Sequence, residues 1–149
     1  MSRLSGEIPR RTPYELGLHG QVARATESDP WQPDEFLMDE RFCAAQVRGR
    51  GLVVFSACCH AGIVNVLHAA RQAFPDIPLL AAMGGFHLSG ENEAIIPETV
   101  RDLAAFDLPL VISPPCPGWR AVAALDRAFG ERVVPAAVGK LFTLEGATA

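Results

Sequence analysis

The segment FSACCHAGIVN (residues 55–65) places two thiols and an imidazole in three consecutive residues, Cys58, Cys59 and His60. Thiolate sulfur and imidazole nitrogen are preferred protein ligands of zinc and comparable metals. A thiol ahead of a helix also lies near the positive end of the helix dipole, which favours the thiolate. The segment is therefore a candidate metal site. Because cysteine is among the most buried residue types, one of these thiols could equally be a core residue.

Two later segments carry the same kinds of side chain. Gly84-Gly85-Phe86-His87 combines two glycines, which allow close backbone approach, with an imidazole that can bind a metal or act on a substrate. Pro114-Pro115-Cys116-Pro117-Gly118 holds a thiol in a loop stiffened by proline. In their simpler interpretations His87 is a solvated loop residue, the prolines make an ordinary turn, and Trp119 belongs to the core.

The remaining candidates are weaker. His68 falls on the outer side of a predicted helix and is expected at the surface, and His19 lies in an uninformative irregular segment. Asp39 and Glu40 precede the first core strand and could contribute a carboxylate to the same place. A solvated strand start is the favoured interpretation for these two residues.

Strands and helices alternate along most of the chain and position these segments. The predicted strands are Arg41–Val47, Leu52–Ala57, Leu79–Met83 and Pro109–Ser113, followed by a short strand within RVVPAAV. The first two flank the turn RGRG and predict a hairpin, and helical patterns follow the later strands. This order predicts an α/β fold with one mostly parallel sheet and flanking helices. The three unusual loops each follow a strand, so we expect them at one carboxyl edge, where α/β proteins bind ligands.

Composition distinguishes two parts of the chain and makes several classes of function unlikely. Residues 1–38 are rich in proline, glycine and charge and predict an irregular N-terminal arm, whereas residues 39–149 predict the α/β unit. A net charge of −4 makes nucleic acid an unlikely partner. No apolar run is long enough for a membrane span, and the N-terminus has no apolar signal-peptide core, so a cytoplasmic location is expected. Four irregularly spaced cysteines do not suggest a disulfide framework.

These motifs, taken in order, resemble the C-terminal half of metallo-β-lactamase-fold hydrolases. The likeness is strongest to the branch with dihydropterin-ribofuranosylaminobenzene-phosphate synthase-like proteins, and it covers nearly all of the chain. The branch pattern Cys-Ser-His-Ala-Gly matches residues 58–62 with Cys59 in place of serine, and Gly-Gly-Phe-His matches residues 84–87 without change. Its later loop, Gly-His-Cys-Thr-Gly, is replaced by residues 114–118, which lack the histidine.

The resemblance implies half of an αββα sandwich and a zinc-type hydrolase acting on a small-molecule substrate. Metal ligands are then expected at Cys58, His60, His87 and Cys116, and His87 is the candidate catalytic residue. The superfamily motif His-x-His-x-Asp-His is absent from the chain. We therefore expect a truncated or split half that is inactive alone and needs a complementary N-terminal half.

Two other functions are compatible with the sequence. The first is a non-catalytic, degenerate module that forms a homo-oligomer through an exposed apolar sheet face. The second is a thiol-based redox protein that uses Cys58, Cys59 and Cys116, although their spacing is not Cys-x-x-Cys.

Overall fold

A computed structural model describes residues 2–147 and contains eight strands and three α-helices within that range. The strands are β1 (Ser2–Leu4), β2 (Val22–Ala23), β3 (Gln32–Pro33), β4 (Phe42–Val47), β5 (Gly51–Ser56), β6 (Leu79–Gly84), β7 (Leu110–Ser113) and β8 (Val133–Pro135). The helices are α1 (Ile63–Ala73), α2 (Ile96–Ala104) and α3 (Trp119–Phe129). Among the described residues, no helix combines the length and apolar character needed to cross a bilayer.

Six strands form one mixed sheet in the order β1-β4-β5-β6-β7-β8. The predicted hairpin is present: β4 pairs antiparallel with β5, with Phe42 opposite Ser56 and Val47 opposite Gly51. From β5 to β8 all neighbours are parallel, each joined to the next through one helix. The α/β class and the mostly parallel sheet expected from the sequence are confirmed.

The core lies between this sheet and the three helices. Leu52 and Val54 of β5 share one buried cluster with Leu67 of α1, Leu103 of α2 and Leu125 of α3. Alternate residues of a strand point to opposite faces, so these contacts place all three helices on one face of the sheet. Each such side chain contributes about 1.5–3 kcal/mol by leaving water.

The opposite sheet face is only partly covered. Val53, Leu80 and Ala81 form a smaller buried cluster there, against which Leu144 of the C-terminal segment packs. Phe55, two residues after Val53 and hence on the same face, remains 37% exposed. The apolar face expected from the sequence is therefore covered in part by the chain itself.

The N-terminal arm has little regular secondary structure, but it packs against the α/β unit. Its first residues form β1, which pairs with β4 at the sheet edge, and β2 pairs with β3 in a separate two-stranded ribbon. Ile8 is 1% exposed and belongs to the main core, and Glu15 is 3% exposed. Residues 2–38 therefore contribute to the core and to the contacts around α1.

Glu15 joins the arm to the first turn of α1. Its carboxylate accepts hydrogen bonds from the backbone N–H groups of Val64 and Asn65, both at 2.9 Å, and from the Thr12 hydroxyl at 3.0 Å. In return, the Asn65 side-chain oxygen accepts the backbone N–H groups of Arg11 and Thr12 at 2.8 and 3.0 Å. Helix N-termini carry unpaired N–H groups and a partial positive charge, so a carboxylate from elsewhere in the chain stabilises this end.

The buried carboxyl group of Glu15 makes the stability of the protein depend on pH. Burial raises the pKa of Glu15 from 4.5 to about 7, although its hydrogen bonds oppose the shift. A carboxyl with a raised folded-state pKa binds its proton more tightly in the native state. The contribution of Glu15 to the free energy of unfolding is therefore largest below pH 4.5, falls as the pH rises to about 7, and is level above it. The fall is up to roughly 3 kcal/mol.

We expect Glu15→Gln to remove that slope, because glutamine does not titrate. Urea unfolding of both proteins from pH 4.5 to 8 measures it. Glu27→Gln, at an exposed position in the same arm, is the matched control and should keep the wild-type slope. Equal slopes in Glu15→Gln and wild type would contradict this role for Glu15.

Candidate metal centre

The carboxyl ends of β5 and β6 bring two chemically unusual loops together. Ser56, the last residue of β5, pairs with Gly84, the last residue of β6. The loop beginning at Ala57 therefore leaves the sheet beside the loop beginning at Gly85, and the backbone N–H of Gly85 donates to the Ala57 carbonyl at 2.8 Å. The loop after β7, the next parallel strand, emerges at the same edge.

Cys58, His60 and His87 form a compact cluster at this edge, termed here the donor group. The Cys58 sulfur lies 3.2 Å from His87 Nδ1, and the two imidazole rings have centroids 4.5 Å apart. One potential ligand atom from each of the three residues lies within 4.8 Å of the other two. All three side chains are half-buried. The structure thus brings together three of the four residues that the sequence singled out as metal ligands.

Cys59 points the other way. Its φ of 70° is in the left-handed region, which a non-glycine residue rarely adopts. The resulting turn leaves Cys59 1% exposed in the core, whereas its neighbours Cys58 and His60 reach the rim. Burial raises the pKa of the Cys59 thiol well above its usual range. Cys59 is therefore a core thiol, one of the two interpretations that the sequence left open.

Glu40 holds the loop that carries His60. Its carboxylate accepts the backbone N–H of His60 at 2.9 Å and that of Ala61, and Oε1 lies 3.4 Å from His60 Nδ1. This contact favours the proton on Nδ1 and leaves Nε2 as the nitrogen with a free lone pair, as in metal sites where a carboxylate orients a histidine ligand. The side chain is 10% exposed, so the solvated strand start favoured from the sequence is wrong for Glu40.

His87 is held in place by its backbone. It has a φ of 42°, and its carbonyl accepts the Asn92 side-chain amide at 3.1 Å. Burial, together with the neighbouring imidazole of His60, lowers the pKa of His87, although Glu40 opposes the shift. The neutral imidazole, which is the form that binds metals, is favoured.

Cys58 carries a protonated thiol when no cation is present. Burial is the main cause that raises its pKa, followed by the proximity of Cys116 and the charge of Glu40. A metal ligand must be the thiolate, so binding of a cation here would release a proton.

Cys116 lies beside the donor group but outside it. A Cβ built on Gly85 would contact both the Cys116 sulfur and the Cα of Cys58, so the two cysteines are neighbours across this glycine. Unlike Cys58, Cys116 is exposed. Its assignment as a fourth metal ligand stays a prediction.

The donor group fits a zinc-like dication. Sulfur and nitrogen atoms that share a tetrahedral zinc lie about 3.6 Å apart, given bonds of about 2.3 and 2.1 Å. The 3.2 Å between Cys58 Sγ and His87 Nδ1 requires only a small separation to reach that value. Two imidazoles and a thiol, one imidazole oriented by a carboxylate, form a donor set of the kind that zinc prefers.

The other side chains considered from the sequence lie elsewhere. His68 is half-buried on α1 and packs edge-on against Phe106, with ring centroids 5.0 Å apart. His19 is exposed beside Glu35 in the arm, and Asp39 is exposed. Trp119, expected in the core, is 71% exposed. The Arg120 guanidinium lies 4.6 Å from the centre of the Trp119 ring.

The sequence did not predict the contacts that three residues make at or near this edge. They are Glu40, which binds the His60 loop, Asn92, which binds the His87 carbonyl, and Glu15, which caps α1. Their partners lie 20, 5 and 49 residues away in the chain. The only signal in the sequence was the position of Glu40 close to the first core strand, and that position does not identify the group it binds.

No protein-family model matches the chain. A similar curated protein is 7,8-dihydropterin-6-methyl-4-(beta-D-ribofuranosyl)-aminobenzene-5'-phosphate synthase from Methanocaldococcus jannaschii, 28% identical over 85 residues. The match covers 56% of this chain and 29% of that protein. The chain thus matches less than a third of the length of this relative.

A solved structure with a similar fold is Tm1679, a metal-dependent hydrolase of the beta-lactamase superfamily. The TM-score is 0.75 at 24% sequence identity, over 97% of this chain and 54% of Tm1679. The chain therefore has the fold of about half of a beta-lactamase-superfamily hydrolase.

Substitution of Gly85 tests how closely the loops after β5, β6 and β7 must approach one another. Beyond the Cys116 sulfur, a Cβ at this position would lie 3.0 Å from the Ala57 carbonyl oxygen and 3.2 Å from the Cys58 Cα. We expect Gly85→Ala to destabilise the protein by about 1–3 kcal/mol, because three loops would have to separate. Chemical denaturation measures the change.

Gly6→Ala is the matched control, since a Cβ at Gly6 meets no atom within 4 Å. It should change stability by less than about 0.5 kcal/mol. If Gly85→Ala were as stable as Gly6→Ala, the close packing of the three loops would be wrong.

Proposed function

We propose that the chain provides a thiol- and histidine-based part of the metal centre of a zinc-type hydrolase. The donor group supports this more than any other feature: three ligand atoms within 4.8 Å, at the edge where parallel sheets bind ligands. The fold shared with a metal-dependent hydrolase supports the same reaction class.

The side chains have separable roles in this proposal. Cys58, His60 and His87 hold the cation, which when bound supplies a Lewis acid and a lowered pKa for coordinated water. Glu40 is a positioning residue, since it fixes the loop and the ring orientation of His60. His87, half-buried on a glycine-rich loop, also contacts the substrate and is the candidate catalytic residue.

The substrate in this proposal is a small organic molecule. A largely apolar groove of about 470 Å³ is lined by Pro114 and Pro115, which precede Cys116, and by Trp119, three residues after it. Its size is within the range of small-molecule sites. The polar residues of the lining are Ser113 and Asp126, and Asp126 supplies its one carboxylate. The groove suits the non-reacting part of such a substrate.

The complete hydrolytic centre needs further ligands in this proposal. The 149 residues contain no His-x-His pair, and the loop at residues 114–118 has no histidine. A catalytic zinc site commonly keeps three protein ligands and one open position, and a two-metal site needs more. The chain therefore acts with a second polypeptide segment that supplies a His-x-His-x-Asp-His cluster.

Metal binding by the chain alone is the first test. We expect about one zinc ion per chain after loading and desalting, measured by elemental analysis. Cys58→Ser, His60→Ala and His87→Ala should each weaken binding by at least tenfold, because each removes one of three ligands. Cys43→Ser and His19→Ala, outside the donor group, are matched controls and should bind as wild type. Equal binding by all five variants would contradict the proposal.

Hydrolysis is the second test. The chain is mixed or co-expressed with the part of Tm1679 that it does not match, which makes up 46% of that protein because 54% is covered. We expect zinc-dependent hydrolysis of nitrophenyl phosphate or carboxylate esters above that of either part alone, with at least a tenfold loss in His87→Ala. A mixture in which metal content and hydrolysis are unchanged would contradict a shared centre.

A second candidate is a non-catalytic module that self-associates. The observation in its favour is Phe55, 37% exposed on the apolar sheet face that Leu144 covers in part. This candidate predicts a stable oligomer without stoichiometric metal. Light scattering on the same samples used for metal analysis distinguishes it from the hydrolase.

A further inference from the structure

Two thiols with different surroundings lie side by side across Gly85. A Cβ on this glycine would touch both the Cys116 sulfur and the Cα of Cys58, which leaves no side chain between the two cysteines. Cys58 is half-buried, and its sulfur faces His87 Nδ1 at 3.2 Å. Cys116 is exposed on a loop with prolines on both sides. The pair thus combines one accessible thiol with one sheltered partner.

We propose that Cys58 and Cys116 are a reversible oxidation site, at which a low-molecular-weight disulfide converts the two thiols into an intramolecular disulfide. The exposed Cys116 reacts first: its thiolate attacks one sulfur of the reagent and releases one thiol. The Cys58 thiolate then attacks the Cys116 sulfur and releases the second thiol. Two protein thiols and one disulfide become one protein disulfide and two free thiols, so electrons and protons balance.

The surroundings of the other cysteines make this pairing selective. Cys59 is 1% exposed and directed into the core, where a reagent cannot reach it. Cys43 lies within β4, opposite Phe55 of β5, so the sheet fixes its position. Access and the position of the attacking thiol govern exchange, and Cys116 is the exposed one of the four cysteines.

Oxidation would also change the donor group. The sulfur of Cys58 is the only sulfur among its three ligand atoms, and a disulfide sulfur is not the thiolate that zinc requires. Cys58 cannot form the disulfide and bind the metal at the same time. Oxidation should therefore weaken metal binding, and reduction should restore it. This consequence rests on the proposed function, whereas formation of the disulfide does not.

The first experiment treats the metal-free full chain with oxidised glutathione and maps the products by mass spectrometry. We expect a peptide pair linked through Cys58 and Cys116, reversed by dithiothreitol. In Cys58→Ser the first step should stop as a stable glutathione adduct on Cys116. Cys43→Ser is the control and should form the same disulfide as wild type. A persistent glutathione adduct on Cys116 in wild type, or links to Cys43 or between chains, would overturn the proposal.

The second experiment measures zinc affinity before and after this treatment. We expect at least a tenfold loss in wild type, recovered on reduction, and no change between treated and untreated Cys116→Ser. If the oxidised protein binds zinc as tightly as the reduced one, the control of metal binding is overturned. If the disulfide forms but the reduced chain binds no zinc, the oxidation site is supported and the proposed function fails. If the reduced chain binds zinc but no disulfide forms, the oxidation site is overturned and the proposed function is supported.

Discussion

The parallel pairing of β5 with β6 determines where the chemistry lies. Because Ser56 pairs with Gly84, the two strands end at the same level and their loops leave the sheet together. His60 and His87 are 27 positions apart in the sequence, yet their ring centroids are 4.5 Å apart. A shift of this register by one residue would also move the buried side chains of β5 to the other sheet face, so the core and the donor group depend on the same alignment.

Carboxylates from the chain before the hairpin then fix the first loop. Glu40 accepts the N–H groups of His60 and Ala61, and Glu15 accepts those of Val64 and Asn65. Four backbone N–H donors around the start of α1, at residues 60, 61, 64 and 65, are thereby satisfied by side chains from outside the helix. In an isolated helix such groups would be left to water. The arm thus has a structural role at the candidate site, even though most of it has no regular secondary structure.

The sequence predicted the architecture well because that architecture follows from local patterns. Apolar runs, the RGRG turn and the helical spacing after each strand identified the hairpin and the parallel order, and the positions of Cys58, His60 and His87 after strands placed them at one edge. What the sequence did not reveal depends on distant partners. Glu40 and Asn92 gain their roles only from neighbours brought close by folding, and Trp119 is exposed because α3 begins at the rim. Cys59 illustrates a third case, since its left-handed backbone conformation accompanies a turn that buries it while Cys58 and His60 reach the rim.

Glycine explains why thiols and imidazoles can approach so closely here. At Gly85 any side chain would intrude between Cys58 and Cys116, so the absence of a Cβ allows both the compact donor group and the neighbouring thiol pair. We propose that Cys58, His60 and His87 bind one metal ion together. X-ray absorption spectroscopy of the zinc-loaded chain tests this most directly. We expect one sulfur neighbour at about 2.3 Å and at least two imidazole nitrogens at about 2.0–2.1 Å, with the sulfur lost in Cys58→Ser; a spectrum of oxygen and nitrogen neighbours only in the wild-type chain would contradict it.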